Sequence, residues 1–292
     1  METLTADERA RFAERGWLLL EAAVTPQQLT GLRADMAAWV DESRDHDAAY
    51  GTTIDGRPRF DLQPGHTADH PALRRVQAPS EVSSAYFDVL TNSRMVDAIA
   101  DLIGPDLRHH HNKINSKQPG SATEVRWHQD FCFTPHTNCD LVTALLFVDE
   151  VTQDNGPLEV QDGSHRGPLH GLWHDGVFTG AVEQAIEDQA KREAIVLTGP
   201  AGSACLMHTR LMHGSTPNNS DEPRTLFIAV YAAADAVRCS RNPVPNEHDG
   251  LIVRGVDPAR VRSEAWEVEI PEYPKAVSFF AQQAADERDQ SY

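Results

Sequence analysis

Three side chains in this sequence have the types and spacing to share one metal ion. His128 and Asp130 flank Gln129 in the stretch Arg126-Trp127-His128-Gln129-Asp130-Phe131, and His213 opens the word His213-Gly214-Ser215. Two imidazoles and one carboxylate can occupy one face of a ferrous ion and leave the opposite positions open. Eleven residues beyond His213 stands Arg224, whose planar guanidinium can grip a carboxylate through two parallel hydrogen bonds. Together these residues suggest an iron centre with a bound keto acid, and therefore oxygen chemistry.

The triplet alone carries little weight, because a chain with 14 histidines produces about one such word by chance at ordinary composition. Its context carries more. In a strand, residues two apart face the same side, so His128 and Asp130 can both turn into a barrel. A strand across the barrel would then supply the third ligand. His208 competes with His213 for that role, and the spacing to Arg224 favours His213. The run His109-His110-His111 resembles a metal tract, but in a strand its members point to alternate faces. His165 is expected to brace its own Gly163-Ser164-His165 turn. His136 and His174 could approach a substrate or stabilise loops. Phe131, Phe133 and Trp173 could line an apolar pocket or belong to the core.

The elements that must position these residues divide the chain. Thr5, with Glu8 three residues on, caps a helix that Gly16 ends. Trp17 to Leu20 reads as a strand, and Thr25-Pro26 starts a second helix running to about Ser43. Residues 44–80 read as a long irregular segment with room for one strand, of the kind that often forms a functional lid. Helices are expected over Ser83–Leu90 and Ser93–Ile103. From 106 the texture changes to strands separated by Gly/Pro turns. Leu107 to Lys117 alternates, with His111, Lys113, Asn115 and Lys117 on one face. Further strands are expected over Leu141–Val148, Leu158–Gln161, Ala194–Leu197, Ser203–Met207 and Thr225–Ala232, with a helix near Ala181–Arg192. The pattern predicts a mainly β protein with flanking helices, a sandwich or barrel packed on the N-terminal helices. A single domain spans 1–292, with a helical part over 1–105, a β core over about 106–235 and a C-terminal extension over 236–292.

Composition narrows the function. The chain of 292 residues is 40% hydrophobic and 24% charged, which suits a folded soluble protein. A net charge of -18, from 44 acidic and 26 basic residues, argues against nucleic-acid backbones and anionic membranes as partners. A small-molecule substrate is the simpler expectation. The four cysteines form no CxxC pair, and reduced thiols suit a cytoplasmic protein. The N-terminal residues lack an apolar signal core, which points to the same compartment. Oligomeric state has no signature in the sequence.

The ordered set Trp127-His128-Gln129-Asp130, Asn155-Gly156-Pro157-Leu158, Gly163-Ser164-His165, His213-Gly214-Ser215 and Arg224 resembles the phytanoyl-CoA dioxygenase family. That family comprises non-haem iron, 2-oxoglutarate-dependent oxygenases. The opening Gly16-Trp17-Leu18-Leu19-Leu20 and the Thr-Pro helix start are similar to the family's N-terminus. The resemblance implies a double-stranded β-helix, a cupin-like jelly roll. It implies Fe(II) on His128, Asp130 and His213. It also implies 2-oxoglutarate held by Arg224 with Ser215 assisting, and O2 as the second co-substrate. Family members often add a polar contact from the preceding strand, for which Asn115 and Lys117 are this chain's candidates. Related halogenases replace the carboxylate of the triplet with a small residue, so Asp130 implies oxidation without halogen, with hydroxylation foremost. The continuation Phe131-Cys132-Phe133-Thr134-Pro135-His136 departs from the pattern of ectoine hydroxylases. Substrate choice would rest with the 44–80 segment, residues 166–180 and the C-terminal tail. Two other readings share the residues: a cupin-like metal enzyme that does not use 2-oxoglutarate, and a catalytically silent binding protein on the same fold.

Overall fold

The computed structural model describes residues 2–273. The end of the expected C-terminal extension, residues 274–292, lies outside the described residues. Helix α1 (Ala6–Arg15) begins at Thr5, whose hydroxyl accepts from the Glu8 amide while the Glu8 carboxylate accepts from the Thr5 amide. Gly16 closes this helix at φ 80°, a left-handed conformation that glycine adopts without penalty. Strand β1 (Trp17–Leu20) and helix α2 (Pro26–Glu42) follow as expected. The 44–80 segment is mostly irregular but contributes two strands, β2 (Phe60–Leu62) and β3 (Leu73–Gln77). Helices α3 (Ser84–Asn92) and α4 (Arg94–Ile103) complete the N-terminal part.

The remaining strands are β4 (Leu107–Lys117), β5 (Val125–His128), β6 (Leu141–Phe147), β7 (Leu158–Val160), β8 (Trp173–His174) and β9 (Val177–Phe178). After helix α5 (Gln184–Arg192) come β10 (Ile195–Leu197), β11 (Ala204–His208), β12 (His213–Ser215), β13 (Arg224–Ala233) and β14 (Ile252–Arg254). They form a large sheet in the order β1-β11-β6-β13-β4-β3-β2, with β14 on β4, and a small sheet in the order β10-β7-β12-β5. The fold is the jelly roll expected from the sequence. The large sheet draws strands from outside 106–235, since β1 to β3 precede that range and β14 follows it.

Period-two alternation decides what each face of the large sheet does. All of β6 and all of β13 are buried, because both faces are covered. Val142, Ala144 and Leu146 of β6 and Phe227, Ala229 and Tyr231 of β13 pack against the helices, with Tyr86, Leu90 and Ile99. Leu145, Phe147, Leu226 and Ile228 point the other way and meet Leu158, Val160 and Leu197 of the small sheet. The inner faces are therefore apolar at one end and free to carry polar groups at the other. The helix layer is fastened by Phe227, fully buried and edge-on to Tyr86 at a ring separation of 5.0 Å. Phe227→Ala should cost about 3–5 kcal/mol and lower Tm by roughly 10 °C. A thermal melt that moves by less than about 3 °C would show that this packing is not what joins helices to sheet.

Candidate active site

His128 is the last residue of β5 and His213 the first of β12, and the two strands are neighbours with these residues directly paired. The third candidate ligand thus comes from the adjacent strand rather than from across the barrel. Asp130 does not continue the strand: it opens a 3-10 turn over Asp130–Cys132. The turn brings its carboxylate back beside the two rings, which alternation in a strand was expected to do. One ligand atom of each of the three residues lies within 4.8 Å of the others. Asp130 Oδ1 is 3.5 Å from His128 Nε2 and 3.7 Å from His213 Nε2.

The backbone and one hydroxyl orient these atoms. His128 Nδ1 lies 2.8 Å from the Arg126 carbonyl and His213 Nδ1 lies 2.9 Å from the Leu211 carbonyl. Each Nδ1–H can donate there, which leaves the Nε2 lone pairs aimed at one point. Thr143 Oγ1 donates to Asp130 Oδ2 at 2.6 Å, leaving Oδ1 for the metal. Burial alone would raise the Asp130 pKa, but His213, His128 and Lys113 outweigh it and hold the carboxyl well below its usual range. Burial, followed by the neighbouring His128, pushes His213 down to about 4. Asp130 and His213 are therefore in the unprotonated forms that a metal needs. Gln129 faces away, accepting from the His170 amide at 2.9 Å and donating to the Arg210 carbonyl at 2.7 Å. Two loops are tied to the triplet by that one side chain.

The site opens into a cavity of about 230 Å³ between the sheets. Arg224 reaches it from the inner face of β13, in register with Lys117 of β4. Arg224 is buried and its Nε has no partner. Burial lowers its pKa to about 10 against the attraction of Asp149, so it remains a cation. Ser215 also faces the cavity, as do Asn115, whose buried Oδ1 has no partner, and Lys117. Lys117 differs from expectation: its ammonium donates to Ser215 Oγ at 2.7 Å and also to the carbonyls of Ser215 and Thr216. It braces Ser215 rather than reaching freely into the cavity. Gly156 makes room for it, since a Cβ there would lie 2.8 Å from Lys117 Cδ and from the Thr216 carbonyl.

Other sequence candidates fall elsewhere. His208 packs against the rings of Phe12 and His165 and accepts from the Arg210 amide. His165 lies 3.2 Å from the Ala13 carbonyl and braces its loop against the end of α1. His136 and His174 are bonded to the Thr134 and Ala181 carbonyls. Phe133 lines the cavity, whereas Phe131 is core, edge-on to Trp266. All three segments named for substrate choice reach the cavity, through Arg57 and Arg75, through Phe178, and through Ile270 to Tyr273. Arg75 and Thr143 went unnoticed in the sequence. Strand alternation around Leu73–Gln77 could have found Arg75 had that stretch been read as a sheet strand.

A jelly roll with two imidazoles and one carboxylate at its mouth, beside a buried arginine, defines a class: the metal-dependent oxygenases built on this fold. Residues 12–226 match the family model of phytanoyl-CoA dioxygenase, and the chain belongs to that family. It is thus an Fe(II)- and 2-oxoglutarate-dependent dioxygenase. The chain is 32% identical over 236 residues, 79% of either chain, to a probable alpha-ketoglutarate-dependent hypophosphite dioxygenase of Stutzerimonas stutzeri. It is 27% identical over 246 residues to the L-proline trans-4-hydroxylase of Streptomyces griseoviridis, covering 77% of this chain and 85% of that one. The crystal structure of EctD from S. alaskensis with bound Fe shares the fold, with TM-score 0.64 at 22% identity over 92% of this chain and 89% of that one.

The buried histidines outside the triad leave a signature in stability. Burial pushes His109 and His136 down to about 4 and His208 to about 3, against about 6.5 in an unfolded chain. Protons therefore favour the unfolded state, and stability present above about pH 6.5 is lost as the pH falls toward 4. The metal-free protein should melt roughly 5 °C or more lower at about pH 5 than at about pH 7.5. An unchanged Tm over that interval would mean that these rings accept protons inside the fold.

Proposed function

We propose that the protein hydroxylates a small polar molecule, with His128, Asp130 and His213 as the iron ligands and Arg224 with Ser215 as the clamp for 2-oxoglutarate. The observation that carries this reading is a buried guanidinium with an unpartnered Nε facing the same cavity as the triad. The donor set fits ferrous iron: two imidazoles and one carboxylate, each oriented by a second hydrogen bond. When bound, the metal supplies the oxidation in which substrate, O2 and 2-oxoglutarate become alcohol, succinate and CO2.

The chain's own residues set the stage for that reaction. Arg224 fixes the distal carboxylate as a bidentate partner. Ser215, held by Lys117, offers its hydroxyl to the same carboxylate, and Asn115 lies one step along β4 with an unpaired acceptor. Thr143 keeps Asp130 from turning both oxygens to the metal. Phe133, Phe178 and Leu158 exclude water on the small-sheet side. The named activities of the relatives, on hypophosphite and L-proline, support a small polar substrate. A cytoplasmic home fits the four unpaired cysteines.

Anaerobic titration of the Fe(II) protein with 2-oxoglutarate tests the reading by its weak visible charge-transfer band. The band should saturate in the wild type. In Arg224→Ala the half-saturation should rise roughly 10- to 100-fold, as expected for losing hydrogen bonds to a charged partner. An unchanged titration in Arg224→Ala would favour a cupin-like enzyme that works without 2-oxoglutarate. No band in the wild type, with no succinate formed under air, would favour a binding protein.

A further inference from the structure

The lining of the cavity runs against the charge of the whole chain. A protein of net charge -18 places six basic side chains around this space, Arg57, Arg75, Lys113, Lys117, Arg224 and Arg241, against the two carboxylates Asp130 and Glu272. Arg224 and Lys117 belong to the keto-acid end. Arg57 and Arg241 sit at the rim, where both guanidinium groups lie over the ring of Tyr273 and Arg57 pairs with Asp55. Arg75 and Lys113 remain, and the keto acid does not account for them.

Both project from the inner face of the large sheet, on neighbouring strands. Arg75 is in register with Asn115, and Lys113 lies one inward-facing step further along β4. Lys113 is four residues from Lys117, about 13 Å along the strand, so the two lysines serve different parts of the cavity. Their electrostatic neighbours differ in the same way. Lys113 is influenced by Arg75 and Asp130, whereas Lys117 is influenced by Arg224, Glu124 and Glu159. Thr143, bonded to Asp130, is in register through Val230 with His111, so along β4 Lys113 lies between the level of Arg75 and that of the triad.

Arg75 is buried, with an unpartnered Nε. The carboxylate opposite it in register, Asp61, is bonded to Arg74 at 2.7 Å. Lys113 has no ion pair among the described residues. Asp61 attracts Arg75 and Asp130 attracts Lys113, but neither carboxylate forms an ion pair with them among the described residues, and two buried cations that repel each other are costly to keep without a directly bonded partner. An anion between them would remove that cost.

We infer that Arg75 and Lys113 form a second anion clamp, distinct from Arg224, and that the substrate is a small oxyanion held by this pair. The inference rests on the dioxygenase reading and specifies its substrate. A carboxylate and a phosphorus oxyanion share the required chemistry, namely at least two acceptor oxygens with a formal negative charge. Held there, the acid group lies across β4 from the strand of Arg224, between the levels of Lys113 and Asn115, and the rest of the molecule extends toward Asp130 and the two imidazoles.

Calorimetric titration of the Fe(II)- and 2-oxoglutarate-loaded protein, kept anaerobic, tests the clamp with propionate, methylphosphonate and the neutral propionamide. At least one anion should bind, and propionamide should bind at least tenfold more weakly. Lys113→Gln and Arg75→Gln should each weaken the anion at least tenfold while the 2-oxoglutarate half-saturation stays within about threefold. Should Arg75→Gln fail to fold, Lys113→Gln carries the test. Binding of propionate alone assigns a carboxylic acid, of methylphosphonate alone a phosphorus oxyanion, and of both an oxyanion read by charge. Propionamide binding as well as the anions, or no anion binding at all, would overturn the inference. So would loss of 2-oxoglutarate affinity in the two variants, which would make Arg75 and Lys113 part of the co-substrate site. If the wild type itself fails to bind 2-oxoglutarate, the dioxygenase reading fails instead, and the same anion titration on the Fe(II) protein alone still reports on this pair.

Discussion

The pairing of His128 with His213 on adjacent strands is the constraint on which the rest of the site depends. A slip of β5 by one residue would turn His128 to the opposite face and part the two imidazoles. The register is held from the far side as well, because β12 also pairs with β7, His213 opposite Val160. Gly214 permits the close approach: a Cβ there would lie 3.0 Å from the Trp127 ring and from the Val125 carbonyl. Trp127, in turn, is almost fully buried in the small cluster under α5 and the 169–182 loop. The word His-Gly-Ser therefore has a packing reason for its middle residue, beside the chemical reasons for the outer two.

The large sheet solves a different problem, which is to hold several cations out of water. It does so by dividing its faces. The outer face is a continuous apolar layer against the helices, and the inner face is apolar only where it meets β7 and β10. This leaves one end of the inner face for Arg75, Lys113, Asn115, Lys117 and Arg224. The apolar layer on the helix side stabilises strands whose inner residues would not stabilise them alone. Stability and function therefore occupy opposite faces of the same strands, carried by successive residues along the chain.

Much of the site was legible in the sequence, for identifiable reasons. His128, Asp130, His213 and Arg224 stood in short words in a fixed order, and the alternation of β4 put Lys113, Asn115 and Lys117 on one face. The capped helices α1 and α2 were legible because caps are local. What was missed depends on tertiary pairing. Asp130 reaches the ligands through a turn, which a residue two beyond a histidine does not announce. The ligand strands are neighbours because both pair within the small sheet, and three- and four-residue strands carry no register signal. Arg75 lies in a segment whose Gly, Pro and Asp content hides two strands, β3 paired with β4 and β2 paired with β3. Lys117 could not be separated from a free co-substrate ligand until Ser215 and Thr216 were seen around its ammonium.

The central claim is that one metal sits on His128, Asp130 and His213 with a keto acid anchored by Arg224. An anaerobic crystal structure with Fe(II) and 2-oxoglutarate tests it most directly. The account predicts the ion on His128 Nε2, His213 Nε2 and Asp130 Oδ1, with the distal carboxylate of 2-oxoglutarate bidentate on Arg224. Metal bound by other histidines, or the distal carboxylate seated on Arg75 and Lys113, would contradict it.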